Sequence, residues 1–275
     1  MLTIKKIPEG LTYLNIGCGD IFSTDWTNLD FTPQPNVDFV DIRDGLPFPN
    51  ESFDVVYHSH LIEHLTLPEA KRFLKEACRV LKKGGLTRIA TPDLEKIGRD
   101  YLNYLQQAWQ NPLPQNVAKY QWVVLAFLDQ LTREKSGGLM LEALLSQKFN
   151  KDFVVRQNGE ELAPFFELAG QNKKSLRLRF QRFNISAFQH ILAAGFKKIK
   201  SRFIQPSPQK TGEAHKWLYD KLSLRLLLEE AGFQNFNVKL FNQSNIPFWN
   251  RYQLDQSSNS SSPRKPDSIY VEAQK

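Results

Sequence analysis

The run Leu14-Asn15-Ile16-Gly17-Cys18-Gly19-Asp20 constrains this chain more than any other stretch. It closes an apolar segment, Leu11–Ile16, with two glycines one residue apart. A glycine turn after a first buried strand lets the backbone approach a ligand closely, because no Cβ intervenes. A single G-x-G is common, so its meaning depends on the elements around it.

The next eighty residues alternate strand and helix signals. Trp26–Asp30 and Val37–Asp41 are short strand candidates, each ending at an aspartate. Phe53–Tyr57 (FDVVY) has the pattern of a buried strand. Thr66-Leu67-Pro68-Glu69 reads as a capping box with proline in the first turn. It opens a helix with Phe73, Leu74, Ala77, Val80 and Leu81 on one face, stopped at Gly84-Gly85 before a strand at Leu86–Ala90. This alternation predicts a parallel α/β sheet.

The pattern changes after Thr91-Pro92-Asp93. Residues 96–205 read as a mostly helical insertion, with an apolar stripe over Tyr120–Leu131 broken at Ser136-Gly137-Gly138. Sheet-like order returns in residues 206–275. Leu222–Ala231 reads as a helix closed by Gly232, and Phe236–Phe241 and Ser268–Ala273 as strands. The expected division is therefore 1–95, 96–205 and 206–275.

In order, LNIGCGD, NLD, VDI, LPFPNESFDVVY, EHL and RVLKKGG resemble a class I S-adenosylmethionine-dependent methyltransferase of the type-11-like branch. The resemblance covers roughly the first ninety residues and, more loosely, the last sixty. It implies a Rossmann-like seven-stranded sheet, mostly parallel with an antiparallel last strand, and a helical insertion after the fifth strand. It also implies S-adenosyl-L-methionine as cofactor. Gly17 and Gly19, with Asn15 and Cys18 in the same turn, would flank its methionine end. Asp30 would hold the ribose and Asp41 the adenine, with His58 nearby at the end of the fourth strand.

The departures are physical. Asn15 stands where an acid is usual, so it offers no charge to an ammonium group, and Ile21 replaces a third glycine. About ten residues separate Gly19 from Asp30, whereas a helical crossover needs about a dozen or more. A clipped first crossover is expected. A nicotinamide dehydrogenase is the rival for a glycine turn with Asp30. It needs G-x-G-x-x-G opening a helix, and here the last position is Phe22.

The segment HSHLIEHL holds His58, His60 and His64, three of the five histidines. H-x-x-E-H is also a zinc-protease spacing, but that use needs a continuous helix. A strand before it and Pro68 after it place this segment in a turn at the strand end, and no metal site is expected. His60 is the candidate general base, because an unperturbed imidazole pKa of about 6.5 suits proton removal near neutral pH. Glu63 and His64 admit two readings, catalytic and architectural. So does His215, within Gly212–Asp220, as a second base or a packing group. Arg133 is able to grip an anion or to form a surface ion pair.

The formal charge is +7, and much of the excess lies between Gln171 and Arg202. That stretch admits peripheral membrane contact, or nothing more than a solvated face. An aromatic-lined RNA-binding pattern is absent, and the residues after the fourth strand are not those of nucleic-acid amino methylation, so a nucleic acid acceptor is disfavoured. Cys18 and Cys78 form no disulfide framework, and a reducing cytoplasm is expected. The expected activity is methyl transfer to an oxygen or nitrogen of a small-molecule, lipid or sugar-type acceptor. The alternatives are a catalytically inactive binding protein of the same fold, and a basic adaptor that docks on membrane or RNA.

Overall fold

The computed structural model describes residues 10–168, 208, 212–258 and 261–275. The basic stretch between Gln171 and Arg202 therefore lies outside the described residues. The described residues up to Asp93, with Tyr219–Pro263 and Ser268–Lys275, form one compact unit. Leu94–Leu218 and Arg264–Asp267 form a second.

The first unit is built on a seven-stranded sheet: β1 (Tyr13–Ile16), β2 (Thr27–Asp30), β3 (Asp38–Phe39), β4 (Phe53–Ser59), β5 (Leu81–Pro92), β6 (Gln234–Lys239) and β7 (Ser268–Gln274). Their order is β3-β2-β1-β4-β5-β7-β6. β1 to β5 pair in parallel, and β7 runs antiparallel to both β5 and β6. The expected mostly parallel sheet with an antiparallel last strand is thus the observed one.

Most boundaries shift by a few residues from the sequence reading, and two strand starts show why. β5 begins at Leu81, before the glycines, because Leu81 pairs with Phe53 and the next pair is Val55 with Leu86. Residues 82–85 bulge out between these pairs, and Gly84 adopts φ +76° there. β6 starts two residues earlier than Phe236. Both ends are set by pairing partners that lie far away in sequence.

Side chains alternate between the two sheet faces. Leu14, Ile16, Val56, Ile89 and Val271 point to one face. There they meet helix α1 (Leu67–Val80), the β4–β5 crossover, whose Phe73, Leu74 and Ala77 are buried. Glu69 accepts hydrogen bonds from both the N–H and the hydroxyl of Thr66, fixing the helix start. A right-handed crossover from β1 to β2 runs the opposite way across the sheet and belongs on the other face. Residues 17–26 contain no helix to cover it.

The C-terminal part of the chain covers that second face instead. Ile246, Trp249, Tyr252 and Leu254 pack on Tyr13, Trp26, Val55, Tyr57 and Leu86. Arg88, fully buried on β5, anchors them. Its Nε donates to Asp255 Oδ2 at 2.9 Å and its Nη1 to Glu272 Oε1 at 2.9 Å. The remaining donors reach the carbonyls of Leu240, Phe241 and Gln243. All five guanidinium N–H groups are thereby used, and the guanidinium carbon sits 4.4 Å above the Trp249 ring. Tyr57 donates its hydroxyl to Asp255 Oδ1 at 2.6 Å.

Helix α7 (Lys221–Ala231) joins α1 on the first face and ends at Gly232 in the left-handed region, φ +102°. The second unit holds α2 (Leu94–Gln110), α3 (Pro114–Thr132), α4 (Gly138–Leu145), α5 (Lys151–Asn158) and α6 (Ala163–Leu168). Trp122 on α3 centres its core among Leu144, Phe149, Phe153 and Phe165. Buried Asp129 accepts from the N–H groups of Leu139 and Met140 at the start of α4. A side chain at Gly138 would strike that carboxylate, so glycine is required there. Within the sheet unit, Asp93 and Tyr219 form an isolated parallel bridge.

Removing Arg88 would leave Asp255 buried without its counter-charge and Glu272 with only Lys239 at 4.0 Å, which costs about 3–5 kcal/mol. Arg88→Met is expected to lose that much in urea unfolding. A loss below about 1 kcal/mol, the scale of a surface pair, contradicts the anchoring role.

Candidate active site

The strand order reverses between β1 and β4, and open α/β sheets bind ligands at the carboxyl ends of the strands there. The turn Gly17-Cys18-Gly19 leaves β1 at that point. Gly17 and Gly19 have φ of +66° and +52°, a region that disfavours side chains. The two glycines differ in what surrounds them. A Cβ on Gly17 would lie 2.9 Å from Leu61 Cδ1, so the glycine turn and the histidine turn are in contact. A Cβ on Gly19 would meet nothing within 4 Å.

Asp30, at the end of β2, holds the turn. Its Oδ2 accepts from the Gly19 N–H at 2.9 Å and its Oδ1 from the Thr32 N–H at 2.9 Å. Each oxygen keeps a lone pair for a further donor. Burial and the neighbouring Asp30 charge push the Cys18 thiol up to about 12, so it is a packing group and not a thiolate. Asp41 caps the turn Ile42–Asp44, and both its oxygens accept from Arg43. Hydrogen bonding to Arg43 holds its carboxyl below the usual range.

Asn15 is buried. Its amide N–H groups reach Ile21 O and Asn28 Oδ1, each at 3.4 Å. Asn28 in turn donates to the carbonyls of Ser23 and Trp26. Asn15 thus helps to shape the helix-free connection, while its Oδ1 has no hydrogen-bond partner among the described residues.

The histidine segment sits at the end of β4 and in the short 3-10 turn Ile62–His64, not on a continuous helix. His58 points into the first face, fully buried, with its ring edge-on to Phe73 at 5.0 Å. Its two nitrogens have no hydrogen-bond partner among the described residues. The ring lies inside the α1 layer, so it is not presented at the lip of the cleft. His60 adopts φ +51°, and its N–H donates to Ala90 O at 2.8 Å. Its Nδ1 is 3.1 Å from Glu63 Oε1, and its Nε2 is 2.8 Å from Ser268 Oγ. Glu63 is fully buried, and its Oε2 accepts from Thr91 Oγ1 at 3.1 Å. His64 ends the 3-10 turn, partly exposed.

His215 belongs to the second unit, buried there, with its N–H on Gln130 O at 2.8 Å. Arg133 forms ion pairs with Asp129 and Glu213 in the same unit, at 3.1 and 3.0 Å. Ser268, Thr91 and Tyr219 had no local signal in the sequence. Thr91 meets the histidine turn through the pairing of β4 and β5, and Ser268 through that of β5 and β7. The Tyr219 hydroxyl is buried, and desolvation with the Glu63 charge raises its pKa.

With this geometry in view, a family model described as "Methyltransferase domain" matches residues 14–89. Residues 14–89 are a methyltransferase domain. That match supports methyl transfer with S-adenosyl-L-methionine as donor, and it spans 76 of the 275 residues. No curated protein matches the chain. Among solved structures, a SAM-dependent methyltransferase of Thermotoga maritima, described as a possible histamine N-methyltransferase, is 15% identical. The match covers 98% of this chain and 84% of that one, with a TM-score of 0.41. A SAM-dependent methyltransferase of Archaeoglobus fulgidus is 13% identical over 97% and 87% of the two chains, with a TM-score of 0.41. One from Mesorhizobium loti is 14% identical over 98% and 94%, with a TM-score of 0.38. No described helix is long and apolar enough to cross a membrane.

The residues of the methyltransferase domain fit the donor in kind. The turn leaves open space at Gly19, and Asp30 is partly exposed at the next strand end. Asn15 Oδ1, without a partner among the described residues, is an acceptor for an ammonium group.

Burial lowers the His58 pKa to about 4, with Glu63 opposing part of the effect. The unfolded chain takes up this proton near pH 6.5 and the folded chain only near 4, so stability is lost as pH falls between them. His58 alone is expected to account for about 2 kcal/mol between pH 6.5 and 5. Urea titrations at pH 7, 6 and 5 should show His58→Leu flattening this slope. Equal slopes in both proteins would exclude His58 as the cause.

Proposed function

We propose that this methyltransferase transfers its methyl group to an oxygen or nitrogen of a small-molecule, lipid or sugar-type acceptor, with His60 as general base. The observation that carries this reading is the setting of His60. It lies just past the end of β4, its side chain partly exposed, with Nδ1 beside a fully buried carboxylate. That carboxylate lies against Nδ1, on the side of the ring away from Nε2, the nitrogen that would take the proton. Ser268, hydrogen-bonded to Nε2, occupies the place where an acceptor O–H or N–H would stand.

When bound, S-adenosyl-L-methionine supplies an electrophilic methyl carbon. The protein's part is positioning and proton removal. The backbone of Gly17 and Gly19 and the Asn15 Oδ1 would hold the amino-acid end, and Asp30 the ribose hydroxyls. Asp41 would take the adenine amino group only by sharing its carboxylate with Arg43. Glu63 and Thr91 keep His60 in place, and His64 completes the turn that carries Leu61 to Gly17. His215 has no role in this reading.

Two measurements bear on it. S-adenosyl-L-homocysteine binding by calorimetry should weaken at least about tenfold in Asp30→Ala, a loss of about 1.4 kcal/mol. Methyl transfer from radiolabelled donor into small-molecule and lipid extracts should fall about 10²–10⁴-fold in His60→Asn, with donor binding kept. Label entering only RNA or protein would contradict the acceptor class. Undiminished transfer by His60→Asn would remove the base.

A further inference from the structure

We propose that Ser268, His60 and Glu63 form a nucleophilic serine centre that takes the acyl group of a carboxylic ester. This activity shares His60 with the proposed methyl transfer but needs no methyl donor.

Ser268 Oγ is hydrogen-bonded to His60 Nε2 at 2.8 Å, and His60 Nδ1 lies 3.1 Å from Glu63 Oε1, a close charge contact outside hydrogen-bond geometry that a small ring rotation would align. A hydroxyl on one ring nitrogen and a carboxylate on the other is the arrangement that makes a serine nucleophilic, whatever the fold and chain order. Each member is fixed independently. Glu63 is fully buried and held by Thr91. His60 is kept in a left-handed conformation, φ +51°, by its backbone bond to Ala90. Such a conformation in a residue other than glycine persists where the surroundings over-determine it, often at functional sites.

Ser268 is placed where a substrate arrives. β7 is antiparallel to β5, and Ser268 is its first residue, paired with Pro92 at the last position of β5. Its hydroxyl therefore lies at the carboxyl ends of the parallel strands, the ligand-binding edge of such a sheet. Ser268 is partly exposed, whereas Glu63 and Thr91 are buried.

The chemistry balances without a further reactant. Ser268 Oγ forms a bond to the ester carbonyl carbon, and its proton passes to His60 Nε2. The bond from that carbon to the alkoxy oxygen breaks, and the alkoxide takes the proton from Nε2 and leaves as the alcohol. Water then attacks the acyl carbon and gives a proton to Nε2, which returns it to Ser268 as the acid leaves. The sum is ester and water to acid and alcohol. Glu63 acts as a positioning residue through His60.

The test uses the full chain with p-nitrophenyl acetate and a fluorophosphonate, and locates the adduct by mass spectrometry. The expected result is p-nitrophenolate release with an acetyl or phosphonyl adduct on Ser268. Ser268→Ala should abolish both while keeping the wild-type thermal midpoint. His60→Asn, which tolerates the left-handed backbone, should slow adduct formation about 100-fold or more. Glu63→Gln should change the pH profile of the rate as well as its size, which a merely structural role would not do. No adduct on Ser268, or a rate unchanged in Ser268→Ala, overturns the proposal. Either negative result leaves the methyl-transfer reading intact, since methyl transfer requires no bond to Ser268.

Discussion

The shortness of the β1–β2 connection governs the rest of the sheet unit. Residues 17–26 are enough to turn the chain and bring it back parallel, but not to form a crossover helix. A sheet face left bare there would expose Tyr13, Val55, Tyr57 and Leu86 to water. The apolar area of residues 246–254 covers it instead, and Arg88 fastens that covering to β5 and β7. A buried cation with two buried carboxylates contributes little net stability against an apolar replacement of the same shape. Its effect is positional: five directed hydrogen bonds allow one placement of residues 240–255 on the sheet.

This covering reaches the Gly17–Trp26 connection. Trp26, the last residue before β2, lies within the aromatic cluster, 4.9 Å from Tyr13 and 5.2 Å from Tyr252. Asn28 and Asn15 then tie the loop between Ser23 and Ile21 to the strands. The turn that would face the methyl donor is therefore shaped by side-chain amides and aromatic packing, where a crossover helix would otherwise supply a rigid backbone and N-terminal dipole.

Much of the fold was legible because its signals are local. The glycine turn, the buried strand FDVVY, the Thr66–Glu69 helix start and Gly232 as a helix stop each act within a few residues. The absent crossover was readable from spacing alone. The covering segment was not. Ile246, Trp249, Tyr252 and Leu254 follow neither a strand nor a helix period, and their partners lie about 200 residues away. Arg88 and Glu272 read as ordinary exposed positions of an alternating strand, since nothing local reveals that each buries the other's charge. At the site, Gly17, Gly19 and Asp30 stood out by pattern, and the structure puts them at one strand edge. By sequence, His58 belonged near the cofactor and His60 was the base. Two residues apart, they would share a face on a continued strand; β4 ends at Ser59 and the left-handed backbone of His60, φ +51°, turns its ring away from the α1 layer that holds His58. Ser268 carried no signal, because only the β5–β7 register brings it to His60.

The central claim is that the methyl donor binds beside the helix-free turn and that the C-terminal covering braces that turn. Hydrogen–deuterium exchange with and without S-adenosyl-L-homocysteine tests it most directly. Slower exchange is predicted in residues 17–32 and, over the same titration, in residues 246–255, which touch that turn from beneath. Unchanged exchange in residues 17–32 at saturating ligand, or protection confined to the second unit, would contradict it.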